Sequence, residues 1–119
     1  MGLKKIIKDF KNNYVIRQVQ QMKFPAFESD MVKRYRVVFK GRVQKVGFRL
    51  EVLELAKRLD LTGFCQNLEN GDVLAELQGE ANRIKHLISV MESLKRIKIT
   101  SKTIEELDVN FSETGFEKR

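Results

Sequence analysis

The feature that most constrains this chain is a change of hydrophobic period, from two to about 3.6, made twice in the same order. Tyr35, Val37 and Phe39 alternate with Arg34, Arg36 and Lys40, the pattern of a strand with one buried face. Gly41 interrupts it. From Phe48 the apolar residues Val52, Leu55, Ala56 and Leu59 fall at i+4, i+7, i+8 and i+11, one side of a helix. Thr62–Asn67 reads as a short strand, and Glu69-Asn70-Gly71-Asp72 holds the Asn-Gly pair favoured in tight hairpins. Val73, Ala75 and Leu77 alternate as the return strand, which Gly79 closes. Ile84, Leu87, Ile88, Met91 and Leu94 then mark a second helix. Strand character returns from about Ile97 to Leu107, and Gly115–Lys118 adds a short last strand around Phe116.

The order is β-α-β-β-α-β with a weaker fifth strand. It predicts an α+β, ferredoxin-like βαββαβ sandwich, two helices packed on one face of an antiparallel sheet. With 119 residues there is room for one full-sized core and not two. The single proline, Pro25, lies in Phe24-Pro25-Ala26-Phe27-Glu28-Ser29-Asp30, a segment that ends any helix before it. A boundary is expected there: residues 1–30 as an N-terminal extension, a helix plus linker, and residues 31–119 as the compact domain. In the extension Leu3, Ile6, Ile7, Phe10 and Tyr14 share one helix face, with Lys4, Lys5, Lys8 and Lys11 largely on the others. That apolar stripe needs covering, by its own domain, a partner subunit or a membrane surface; the first two are the expected covers.

Net charge is +7, which favours anionic partners: nucleic acid, an anionic membrane or a small phosphorylated molecule. The lone cysteine, Cys65, can form no internal disulfide and no Cys-rich zinc site, and fits a reducing compartment. No apolar run is long enough to span a membrane, and Ile6-Ile7 is broken at once by Lys8 and Asp9, unlike a secretory leader. A cytoplasmic location is expected, and no cofactor or metal.

The informative segment is Gly41-Arg42-Val43-Gln44-Lys45-Val46-Gly47-Phe48-Arg49, between the first strand and the first helix of the domain. Helix N-termini present unpaired N–H groups and partial positive charge, so a loop entering one can wrap an anion. The two glycines allow close approach of main chain, and the planar fork of Arg49 can hold two phosphate oxygens. From these residues alone two readings stay open: an anion site, or a basic turn with a solvated arginine. Asn67 likewise reads as a turn residue before the hairpin or as part of a site.

The run Gly41-x-Val43-Gln44-x-Val46-x-Phe48-Arg49, then Leu61-x-Gly63-Phe64-x-x-Asn67, Gly71-x-Val73, Gln78-Gly79, Phe111-Ser112 and Gly115-Phe116-Glu117, resembles an acylphosphatase in order from about Lys33 onward. The resemblance implies the same βαββαβ fold and hydrolysis of the carboxyl–phosphate bond of acyl phosphates without metal or cofactor. It also implies Arg49 as the phosphate-binding arginine, Asn67 as the residue orienting the attacking water, and a phosphate cradle of main-chain N–H groups from Val43, Gln44, Lys45, Val46, Gly47 and Phe48. Lys45 and Asp60 stand where the family usually has glycine, and Phe64 where it has an aromatic, often tryptophan. A left-handed backbone at Lys45 would cost about 1–2 kcal/mol.

The alternative is a catalytically weakened relative serving assembly or regulation, with residues 1–30 as an oligomerisation element. RNA binding fits the charge and topology, but the strand Asp72–Gln78 lacks the aromatics on which bases stack. His86 is expected at the surface, on the polar side of its helix, and Cys65 as a small buried or half-buried side chain. Met22, Met31 and Met91 read as packing residues.

Overall fold

The computed structural model describes residues 2–119. In chain order its elements are α1 (Leu3–Gln21), β1 (Val32–Arg42), α2 (Phe48–Arg58), β2 (Thr62–Asn67), β3 (Val73–Glu80), α3 (Ala81–Ser93), β4 (Lys98–Leu107) and β5 (Phe116–Lys118). The strands form one sheet in the order β4-β1-β3-β2-β5. β1 runs antiparallel to β3 and β4, and β2 antiparallel to β3. β5 pairs with β2 in parallel, so the sheet is mixed and not antiparallel throughout. The reason is the connection after β4, which leaves one edge of the sheet and arrives at the other.

The period-two residues Val37 and Phe39 of β1 and Ala75 and Leu77 of β3 are buried with Val52 and Leu55 of α2, Leu59 just past its end, and Ile84, Leu87 and Met91 of α3. This interior is what the helical and strand periods were bound to form. Met91 belongs to it, Met22 packs at its edge, and Met31 does not: it stands 68% exposed at the entry to β1.

The opposite face of β1 is less exposed than alternation suggests. Arg34 is buried, its guanidinium donating to Glu76 Oε1, Gln78 Oε1 and both carboxylate oxygens of Glu113 at 2.8–3.1 Å. Glu113 lies on the β4–β5 connection, which Gln78 also ties through two hydrogen bonds with the main chain of Asn110. The charge is tolerable there because its donors are matched by acceptors.

α1 is covered where its apolar pattern is less clean, at Val15 and Val19, and not along the stripe from Leu3 to Tyr14. Val15 and Val19 are buried, whereas Leu3, Ile6, Ile7, Phe10 and Tyr14 remain 45–78% exposed. The chain's own domain thus does not cover that stripe. Arg58 of α2 donates to the carbonyls of Val19 and Met22, fixing the C-terminal end of α1. After it, the rings of Phe24 and Phe27 meet His86 edge-on at 5.1 and 5.4 Å between centroids. His86 is therefore half-buried beneath the linker, not a solvated surface group. Asp30 then accepts from the main-chain N–H of Asn82 at 2.9 Å, satisfying a donor in the first turn of α3.

Candidate functional site

The loop between β1 and α2 begins where β1 leaves its register. The pairing of β1 with β4 shifts between Lys40 and Gly41. A Cβ at Gly41 would lie 2.1 Å from the Lys98 carbonyl oxygen, so this glycine serves the irregular edge of the sheet, not approach to an anion. Val43 is fully buried and anchors the loop in the core, contributing main chain only. The Gln44 side chain donates to the carbonyls of Leu68 and Asp72 at 2.8 and 2.9 Å and staples the loop to the β2–β3 turn.

Lys45 has φ 63° and Gly47 φ 76°, both left-handed. These two reversals curl residues 44–48 around a concave side. At Gly47, the residue preceding α2, a Cβ would also come within 3.3 Å of Val15. Lys45 carries the backbone cost anticipated for a lysine there. Among the described residues, no N–H from Gln44 to Phe48 meets a main-chain or side-chain acceptor, while the Val46 carbonyl accepts from Arg96 and the Gly47 carbonyl from the N–H of Glu51. The loop is thus left with donors to spare at the positive end of a helix.

Arg49 lies in the first turn of α2. Its Nη1 donates to the main-chain oxygen of Arg119 at 2.7 Å, and the N–H of Arg119 donates to the carbonyl of Cys65. The residue that follows β5 thereby ties the guanidinium to β2. Asn67 ends β2, two residues after Cys65 and hence on the same face of the sheet. Its side chain is exposed and makes no hydrogen bond among the described residues. Arg49, Asn67 and the loop line one cleft of about 800 Å3. Cys65 beneath them is buried, and burial pushes its thiol up to about 12 although the Arg49 charge opposes this; it is inert as a nucleophile.

Two supporting residues were missed in the sequence. Glu51 is completely buried one turn into α2, and Arg96 bridges it to the loop by donating to both the Glu51 carboxylate and, at 2.9 Å, the carbonyl of Val46. Burial raises the Glu51 carboxyl and the hydrogen bond and charge of Arg96 oppose the rise. The only sequence signal was Glu51 beside Val52 on the otherwise apolar side of the helix, and Arg96 lies 45 positions away. Among the described residues there is no cluster of metal-ligating side chains.

Spare main-chain donors, a guanidinium and an amide without a side-chain partner share this cleft, a donor set of the kind that suits an anion. The family model described as Acylphosphatase matches residues 35–118. An acylphosphatase of Clostridium beijerinckii is 46% identical over 56 residues, covering 47% of this chain and 62% of that protein, less than two thirds of its length. One of Chlorobaculum tepidum is 37% identical over 81 residues, covering 67% of this chain and 88% of the relative. The crystal structure of acylphosphatase from Bacillus subtilis superposes with a TM-score of 0.68 at 27% identity, covering 75% of this chain and 99% of that one.

Proposed function

The chain belongs to the acylphosphatase family, whose reaction is hydrolysis of the carboxyl–phosphate bond of acyl phosphates, and we propose that it carries out this reaction with Arg49 and the 43–48 main chain as phosphate cradle and Asn67 as the residue that directs water. As an acylphosphatase it releases a carboxylate and inorganic phosphate. The observation that supports these roles most directly is the unspent set of N–H donors at residues 44–48, of which Lys45, Val46, Gly47 and Phe48 line the same cleft as Arg49 and Asn67.

The chemistry asks little more of the protein. A carboxylate is a good leaving group, so phosphoryl transfer depends on positioning and on neutralising the phosphoryl oxygens. The loop and Arg49 supply the charge; a preorganised donor of this kind is worth roughly 3 kcal/mol. Asn67 offers one acceptor and two donors, enough to fix a water in line with the departing carboxylate. No His, Asp or Glu lines the cleft, so the water's proton passes to a phosphoryl oxygen of the substrate in this scheme.

The test is phosphate release from benzoyl phosphate. Arg49→Ala should lower kcat/KM by about 100-fold or more, from loss of a transition-state donor. Asn67→Ala should lower kcat while binding of inorganic phosphate changes little. Full turnover in either variant would remove the assigned role. No helix among the described residues is long and apolar enough to cross a membrane. The buried, unpaired thiol of Cys65 supports a reducing, cytoplasmic setting.

A further inference from the structure

The cleft is larger than a phosphoryl group requires. Its volume of about 800 Å3 is that of a site for a whole organic ligand, for which roughly 300–1,000 Å3 is usual. Beyond the loop and the first turn of α2, every apolar residue lining it comes from α1: Ile7, Phe10, Tyr14 and Val15. Val15 is the buried anchor and packs toward Gly47 of the phosphate loop. The other three lie at i−8, i−5 and i−1 from it, so the helix carries them outward along the cleft from the site of phosphate binding.

Among the described residues nothing covers them fully. Every residue from Gly2 to Lys11 is exposed, and Ile7, Phe10 and Tyr14 are 45%, 78% and 60% exposed. A helix fixed at its C-terminal half by Val15, Val19 and Arg58 holds its N-terminal half, apolar side chains included, along the open side of the site. Within the cleft the phosphoryl end of a substrate is committed to the loop and Arg49, and in-line attack directs the acyl group away from the water at Asn67. The apolar surface left for that group is α1.

We propose that α1 is the acyl-binding wall of this enzyme, and that Ile7, Phe10 and Tyr14 select acyl phosphates with a large apolar acyl group, aromatic or long-chain, over small ones such as acetyl phosphate. The assignment rests on the reading of the loop as the phosphate cradle. It adds residues outside the segment matched by the family model, which begins at Tyr35.

The test separates this wall from turnover by reading binding alone. Acetylphosphonate and benzoylphosphonate, which keep the phosphoryl and acyl ends but lack the bond to be hydrolysed, are titrated calorimetrically into the full-length protein, with inorganic phosphate as the reference. The natural chain should bind benzoylphosphonate at least about 10-fold more tightly than acetylphosphonate, as expected for covering an aromatic ring. An Ile7→Ser/Phe10→Ser/Tyr14→Ser variant should bring the two within about 2-fold while leaving inorganic phosphate affinity unchanged. Phe10→Trp, which keeps the apolar surface, should retain the preference. Equal affinity in the natural chain, or a preference that survives the triple substitution, overturns the proposal. So does a preference lost together with phosphate affinity, or a triple variant whose mass in solution falls, which assigns the face to a second copy of the chain. A protein that prefers benzoylphosphonate yet releases no phosphate from benzoyl phosphate would leave the wall standing and reject the catalytic roles instead.

Discussion

Lys45 is the residue at which sequence and geometry meet most sharply. Its φ of 63° lies where a β-carbon is crowded by the following carbonyl and where glycine is at ease. The strain is kept at one turn of the loop between β1 and α2, beside the cleft, where the proposed cradle needs the chain to curl. Lys45→Gly should therefore raise stability to unfolding by about 1 kcal/mol in denaturant titrations, because the native backbone is kept and the penalty removed. Lys45 also lines the cleft and brings a positive charge to it, so the same variant should weaken inorganic phosphate binding even as it becomes more stable. Asp60, with φ 59°, repeats the geometry just past the end of α2, where a short polar side chain tolerates it better. Both departures from glycine were visible in the sequence, and the positive φ that makes them matter was not, since it depends on how the chain turns in space.

At the scale of elements, the linker from Phe24 to Asp30 holds α1 to the domain, and His86 is its seat. Arg58 stacks over Phe24 at 3.8 Å and Arg83 over Phe27 at 4.9 Å, the same two rings that meet the imidazole edge-on. Burial lowers the His86 pKa from its usual value near 6.5. A histidine that protonates more readily in the unfolded chain stabilises the fold above the unfolded pKa and loses that contribution as pH falls through the folded one. Stability should thus decline as pH drops below about 6.5, where unfolded histidine begins to take up its proton. His86→Leu, which keeps an apolar body between the rings, should flatten that part of the curve. A thermal denaturation series from pH 7.5 to 5 in both proteins reads the difference. Glu113 acts in a lower window: burial alone would raise its carboxyl, but the hydrogen bonds and charge of Arg34 hold it below the usual range, so its contribution is present above about 4.5 and fades beneath it.

Over the whole molecule, the net charge of +7 is gathered where it counts. Lys4, Lys8, Lys11, Arg42, Lys45, Arg49, Lys95, Arg96 and Lys118 all line the cleft, with no Asp or Glu among its residues. A cleft of one sign concentrates the field and draws in an acyl phosphate, which is itself an anion. Raising ionic strength from 10 to 150 mM shortens the screening distance from about 30 to about 8 Å. kcat/KM for benzoyl phosphate should fall several-fold over that range, through KM, with kcat nearly constant. A rate insensitive to salt would mean that the cations serve solubility alone.

Sequence alone determined the alternation of strands and helices, because periods of 2.0 and 3.6 are properties of the local chain and the buried face follows from them. The places of Arg49 in the first turn of a helix and of Asn67 at the end of a strand were legible for a related reason: the loop that enters a helix and the end of the adjoining strand are fixed by short-range spacing, and the family pattern sits on that spacing. What only tertiary structure decided were the contacts with no local period. Arg96 closes on Glu51 and Val46 across the fold, β5 arrives parallel to β2, and His86 lies under two phenylalanines instead of in water. The fate of α1 belongs with these. Its hydrophobic pattern marked a face that had to meet something, but a pattern names no partner. The packing of Val15 and Val19 left the most apolar side of the helix uncovered along the cleft, because burial is decided by which residues meet a neighbour across the fold and not by hydrophobicity alone.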